Sequence, residues 1–278
     1  MFHAVLDISV DYARAGLEKG NAAPKLYTYV LEDSPEMPQN KKLPALIICP
    51  GGGYAMTSDR EAEPIALRFC TLGFQCFVVR YTVAPMRFPG ALMELSQAVA
   101  TVRAHAEEWH VDENAIFVCG FSAGGHLAAS LGVFWNRPFL TEALGFTQQE
   151  NKPNGVILSY PVITSGEHAH HDSIKNLLGE RYDEQRELVS LEKQVTEETA
   201  PTFLWHTYED TCVPVENALL FATALREKHI PLEMHIFPYG WHGLSEATPL
   251  TGNNDAELAR QISIWPDMAA AWMKSLRK

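Results

Sequence analysis

The stretch AIFVCGFSAGGHLAASLGVF, residues 115–134, passes within a few positions from an unbroken apolar run to a segment with helical spacing. It reads as a buried strand, AIFVC at 115–119, then a sharp turn, then an apolar helix from Ala123 to Phe134. The turn itself is GFSAGGH, 120–126. A strand-to-helix reversal this tight forces Ser122 into a strained backbone conformation and demands small residues two positions on either side, where Gly120 and Gly124 stand. It leaves the Ser122 hydroxyl at the sheet edge and aims a helix N-terminus at whatever reacts there, so that developing negative charge is stabilised. A packing turn with an idle serine is the alternative, and the flanking strand and helix weigh against it.

Working outward, six further runs rich in β-branched and aromatic residues read as strands: 25–31, 44–50, 74–81, 155–161, 201–207 and 232–238. Segments with helical spacing lie between or after them at Glu61–Leu72, Leu92–Trp109, Val215–Lys228 and Ala256–Leu276. Alternation of this kind predicts right-handed βαβ units, an α/β fold with a mostly parallel central sheet and helices on both faces. No repeat or linker divides residues 1–278, so one domain is expected. Residues 161–200 are too long for an ordinary connection and are read as a lid-like excursion over the sheet's carboxyl edge, with a short helix at SIKNLLG.

Composition narrows the class of partner. Hydrophobic residues make up 46% and charged residues 20% of the 278, which is globular rather than disordered. The net charge of −12, with no cluster of Lys and Arg, argues against nucleic acid and against an anionic membrane surface. The uncharged run Leu43–Ser58 is broken by Pro44, Pro50 and three glycines and cannot form a membrane helix. The start of the chain carries Asp7 and Asp11 where a signal peptide needs an apolar stretch. Five cysteines, three of them in apolar runs, fit a reducing, cytoplasmic setting.

A second motif, PGGGY at 50–54, ends the strand PALIIC. Three consecutive glycines cost conformational entropy and need a reason, such as unusual dihedrals or close approach of a ligand to the backbone. Backbone N–H groups of Gly52 and Gly53, joined by that of Ala123, would supply an oxyanion hole. A phosphate loop is the competitor, but neither GKS nor GKT follows and no GxGxxG is present. A serine nucleophile needs a base, and the base needs a carboxylate to orient it. Of eleven histidines, His242 in FPYGWHGLS lies just past a strand, in a loop that can reach back over the sheet edge. Asp210 in HTYEDTCVP follows the preceding strand and is the candidate acid; its neighbour Glu209 is the alternative. His206 reads as structural, and His168, His170 and His171 lack the carboxylate or cysteine that would complete a metal site, so no metal is assigned. The order Ser122, Asp210, His242 puts each group after a different strand at the carboxyl edge of the sheet, where open α/β sheets bind ligands.

GFSAGGH, PGGGY, HTYEDTCVP and FPYGWHG together resemble the α/β-hydrolase superfamily, and more closely the esterase/lipase proteins grouped with bacterial carbohydrate acetyl esterases, the xylan-type enzymes among them. The resemblance spans Leu26–Leu276. It implies Ser122 as nucleophile, His242 as base then acid, Asp210 as orienting carboxylate, Gly52, Gly53 and Ala123 as oxyanion donors, and no cofactor. One departure is Pro50, where many relatives begin the glycine loop with His.

The expected reaction is hydrolysis of a small-molecule, short-chain acyl ester, acetyl above all, of a carbohydrate alcohol. Tyr54 and Trp241, flanking the glycine loop and the base, are candidate substrate-binding residues that would crowd the acyl side of Ser122. A serine peptidase of the prolyl-oligopeptidase type shares the catalytic order, but only a short segment precedes the glycine loop here. A non-catalytic binding protein on the same scaffold is the remaining alternative. The oligomeric state, a homo-oligomer included, is left open.

Overall fold

Strands β3 (Leu43–Cys49) and β5 (Val111–Phe121) lie side by side at the centre of the sheet, buried on both faces. Their side chains alternate between two cores: Ile47, Cys49 and Val118 face one, and Leu46, Ile48, Phe117 and Cys119 the other. These are the apolar runs expected of a sheet covered on both sides, and each large side chain fully removed from water contributes about 1.5–3 kcal/mol. The computed structural model describes residues 1–36 and 42–276.

Around that pair the sheet runs β1-β2-β4-β3-β5-β6-β7-β8, with β1 (Val5–Asp7), β2 (Lys25–Tyr29), β4 (Gln75–Arg80), β6 (Gly155–Ser159), β7 (Thr202–Thr207) and β8 (Leu232–Phe237). From β4 to β8 neighbouring strands are parallel, whereas β1 and β2 pair antiparallel at one edge. The first core is shared by α2 (Gly90–Ala104), α3 (Ala123–Phe134), α4 (Pro138–Leu144), α5 (His171–Leu178) and α7 (Glu216–Glu227). A short α6 (Tyr182–Gln185) follows α5. The second core is shared by α1 (Glu63–Thr71), α8 (Ala256–Ile262) and α9 (Trp265–Ser275). After β3 the chain crosses to β4 on one side and then returns to β5 on the other. The strand order therefore reverses beside β3, a crevice-forming arrangement at the carboxyl ends of the strands.

Four departures from the sequence reading have local causes. β1 is three residues long and half exposed, too short to show alternation. β5 begins at Val111 because the exposed Glu113 and Asn114 extend the strand beyond its apolar part. α4 opens with Pro138 at its first turn, a start signal passed over in the sequence reading. The single helix expected over Ala256–Leu276 is two, because Pro266 offers no N–H to a preceding turn and opens a new helix instead.

Hydrogen bonds tie the 161–200 excursion to the neighbouring elements. Asn217 Oδ1 accepts from the N–H groups of Ile163 and Thr164, Leu191 N–H donates to Ile163 O, and Phe88 N–H donates to Leu177 O. Asn176 Nδ2 donates to Gly53 O at 2.8 Å, so α5 holds the glycine loop directly.

Candidate active site

Ser122 sits between β5 and α3 with φ 53° and ψ −119°, a conformation costly for a residue with a Cβ and held only because the surroundings over-determine it. Its N–H donates to Ser159 O, and its carbonyl accepts from His126 and Val162. The two flanking glycines are required by space: a Cβ on Gly120 would stand 2.1 Å from Gly124 O, and one on Gly124 2.1 Å from Cys49 O. The turn is thus welded to the end of β3, which is where the glycine loop starts.

The structure brings together the three groups expected from the sequence. His242 Nε2 lies 2.8 Å from Ser122 Oγ, and His242 Nδ1 lies 2.6 Å from Asp210 Oδ2. With Nδ1–H donating to the carboxylate, Nε2 is the acceptor for the serine proton. Asp210 is buried, its Oδ1 accepting from the N–H groups of Cys212 and Val213, both at 2.9 Å. Burial works to raise its pKa. The hydrogen bonds from His206 and His242, the charge on His242 and the Val213 N–H outweigh that, so the carboxyl sits below the usual carboxylate range. Glu209, the alternative acid, is exposed. His206 is structural, as expected: buried at the end of β7, its Nε2 lies 2.9 Å from Val213 O and 3.3 Å from Asp210 Oδ2, buttressing the acid.

The glycine loop stands opposite. Gly52 has φ 128°, and a Cβ there would fall 2.4 Å from Met56 O, so no other residue fits. Among the described residues the N–H groups of Gly52, Gly53 and Ala123 have no hydrogen-bond acceptor. Ala123 is the first residue of α3, where an unpartnered N–H is inherent to the helix start. Unsatisfied donors beside a nucleophile are what an oxyanion requires.

Gly52, Gly53, Ser122, His170, Cys212 and His242 line a cleft of about 360 Å³, with Met56, Arg60 and Glu61 at its wall. A larger hollow of about 620 Å³ lies between residues 18–23 and 80–86, but no nucleophile–base pair opens into it, so geometry rather than volume locates the site.

The two candidate substrate-binding residues both lie outside the cleft wall. Tyr54 is buried behind the glycine loop, not in the cleft. Its hydroxyl needs a partner once desolvated and finds His126 Nδ1 at 2.9 Å, while His126 Nε2 lies 2.9 Å from Val189 O. Nε2–H donates to that carbonyl, and burial depresses the His126 pKa to about 4, which favours the neutral imidazole with Nδ1 accepting from Tyr54. Trp241 is 52% exposed and is not part of the cleft wall. The trio His168, His170 and His171 does not converge; among the described residues no group of three His, Cys, Asp or Glu side chains is close enough to hold a metal ion.

His170 turns into the cleft instead. Its Nδ1 lies 2.8 Å from Ser173 Oγ and accepts from Ser173 N–H at 3.4 Å, which leaves the proton on Nε2. Burial, and then the charge of His242, hold its pKa below the usual imidazole value. Glu61 is the other residue that sequence reasoning passed over. It is buried at the cleft wall, its Oε2 accepting from Gly51 N–H at 2.8 Å and its Oε1 from Tyr160 OH at 2.7 Å. Burial raises its pKa, and the hydrogen bonds from Tyr160 and Gly51 and the charges of His242 and Arg60 oppose the rise.

The family model described as BD-FAE matches residues 34–225. An endo-1,4-beta-xylanase B from Butyrivibrio fibrisolvens is 41% identical over 234 residues, which cover 81% of this chain and 35% of that protein. An acetylxylan esterase from Xylanibacter ruminicola is 29% identical over 76% of this chain and 43% of its own length. The chain thus spans between a third and a half of these curated relatives. The crystal structure of an acetyl ester-xyloside bifunctional hydrolase from Caldicellulosiruptor lactoaceticus superposes with a TM-score of 0.82 at 34% identity, over 98% of this chain and 96% of that one. Among the described residues no helix is long and apolar enough to cross a membrane.

Proposed function

The chain belongs to the BD-FAE family, within the α/β-hydrolase esterases, and from that premise we propose that it hydrolyses short-chain carboxylic esters, acetyl esters of carbohydrates in particular, through Ser122, His242 and Asp210. The observation that carries this reading is the unbroken relay from Asp210 Oδ2 through both nitrogens of His242 to Ser122 Oγ, facing backbone donors with no acceptor.

In this mechanism Ser122 Oγ attacks the carbonyl carbon as its proton passes to His242 Nε2. The oxygen of the carbonyl becomes an oxyanion held by the N–H groups of Gly52, Gly53 and Ala123, donors that need no reorganisation. Asp210 keeps the imidazole in the Nδ1–H tautomer and stabilises the imidazolium. His242 then returns the proton to the departing alcohol. A water enters, gives a proton to the same nitrogen and attacks the acyl-enzyme; collapse of that second intermediate frees the acid and restores the serine. No step calls for a cofactor.

The acetyl and carbohydrate parts of the proposal draw on the named activities of the relatives and on the small volume of the cleft, about 360 Å³. The five cysteines, none in a disulfide, support a reducing, cytoplasmic setting. Hydrolysis of p-nitrophenyl acetate and of acetylated xylo-oligosaccharides by the wild type, together with labelling of Ser122 by a fluorophosphonate, tests the proposal. Absence of both turnover and labelling would refute it.

A further inference from the structure

Glu61 has no place in the relay, yet it is a buried carboxylate at the wall of the reaction cleft, a setting that needs a reason because burying a charge is costly unless it is fully hydrogen-bonded. Its two oxygens do different work. Oε2 accepts from Gly51 N–H, at the root of the glycine loop, and Oε1 accepts from Tyr160 OH, just past β6. The same hydroxyl accepts from Ser245 N–H at 2.9 Å, three residues beyond His242. Ser245 is held in turn, its Oγ donating to Arg60 O at 2.6 Å and its carbonyl accepting from Trp265 Nε1 at 2.9 Å. The Tyr160 ring stands edge-on to the His242 imidazole, centroids 5.1 Å apart. One carboxylate therefore ties the loop carrying Gly52 and Gly53 to the loop carrying His242.

The donor count fixes what this position can hold. Gly51 N–H can only donate, and the Tyr160 hydroxyl, already accepting from Ser245, has its own proton to place. Two donors meeting at one side chain need two acceptors, which an ionised carboxylate has and an amide does not. The space is equally restrictive, since a Cβ on Gly51 would stand 2.8 Å from Glu61 Oε2 and 2.7 Å from Phe121 O. Loss of the Gly51 contact frees the loop root. Loss of the Tyr160 contact loosens the chain end that sets the His242 ring.

We propose that Glu61 is a positioning residue of the hydrolytic site, one that holds the oxyanion loop and the His242 loop in register through Gly51 and Tyr160. The inference rests on the oxyanion role of Gly52 and Gly53 set out above. Its energetic signature follows from that role. Donors displaced by a fraction of an ångström weaken the tetrahedral state more than the bound ester, because the full negative charge exists only in the former.

The test compares wild type, Glu61→Gln, Tyr160→Phe and the double variant for kcat and KM on p-nitrophenyl acetate, for inhibition by phenylboronic acid, which forms a tetrahedral adduct on a serine hydroxyl, and for thermal midpoint. Removal of a whole oxyanion donor costs about 10²–10³ in kcat, so a displaced loop is expected to cost about tenfold or more. The expected result is that kcat falls by that factor in each variant with KM within about threefold, that boronic acid affinity falls in parallel with kcat, and that the double variant loses less than the product of the singles because both act on one chain of contacts. Tyr160→Phe carries the test alone if Glu61→Gln does not fold. A kcat within about twofold of wild type, or a fall in kcat with boronic acid affinity unchanged, overturns the proposal. Failure of the wild type itself to turn over ester or bind the boronic acid would instead strike the esterase reading, so the two failures are distinct.

Discussion

The imidazole Nε2 of His242 stands 2.8 Å from the hydroxyl of Ser122, although 120 residues separate them in the chain. Parallel strands make that contact possible: β5 and β8 deliver their carboxyl ends to the same edge of the sheet, with β6 and β7 between them. Asp210, at the end of β7, completes the line from the intervening strand.

Asp210→Asn is expected to leave the fold intact and to lower kcat by about 10³–10⁴-fold, because an amide can donate to Nδ1 and so favours the wrong imidazole tautomer. Glu209→Gln, on an exposed side chain, is expected to change kcat by less than twofold or so. Steady-state kinetics on both variants decide between them, and the reverse ranking would move the acid to Glu209.

Acyl length is expected to matter because the cleft is small, about 360 Å³. A pocket that accommodated each added methylene would contribute about 0.8 kcal/mol per group and give kcat/KM rising with chain length. The expected order is acetate above butyrate above octanoate. An optimum at octanoate would mean that an acyl tunnel exists beyond the cleft. Trp241→Ala is expected to leave this order unchanged, since the ring stands in solvent outside the wall.

His126 ties stability to pH. Its folded-state pKa of about 4 lies below the ordinary value of 6.5, so the unfolded chain binds the proton more tightly. Stability from this group is complete above pH 6.5 and is lost as pH falls toward 4, by on the order of 3 kcal/mol. Denaturant unfolding at neutral pH and at about pH 4.5 should therefore show a smaller loss in His126→Asn than in wild type. Equal losses in the two proteins would contradict the neutral, buried assignment.

How much of this was legible beforehand follows from where each signal resides. Ser122, Asp210 and His242 each close a strand with a turn, so their chemistry and their position could be read from the same few residues. Glu61 could not, because its surroundings, SDREAEP, look like any solvated charged stretch, and its role depends on contact with Tyr160, 99 residues away. Tyr54 was misplaced for a related reason: an aromatic after three glycines can turn to either side of the loop, and the partner that decides, His126, lies on α3. Pro266 marks the break between the last two helices, but helical apolar spacing continues on both sides of it and reads as a single helix.

The proposal stands or falls on Ser122. Removing its hydroxyl deletes the attacking atom while changing one buried side chain at a turn already shaped by Gly120 and Gly124. Measured side by side on p-nitrophenyl acetate, Ser122→Ala is expected to retain the wild-type circular dichroism and to lose at least about 10³-fold in kcat, with fluorophosphonate labelling abolished. A correctly folded Ser122→Ala protein with more than about a tenth of wild-type turnover would contradict the account.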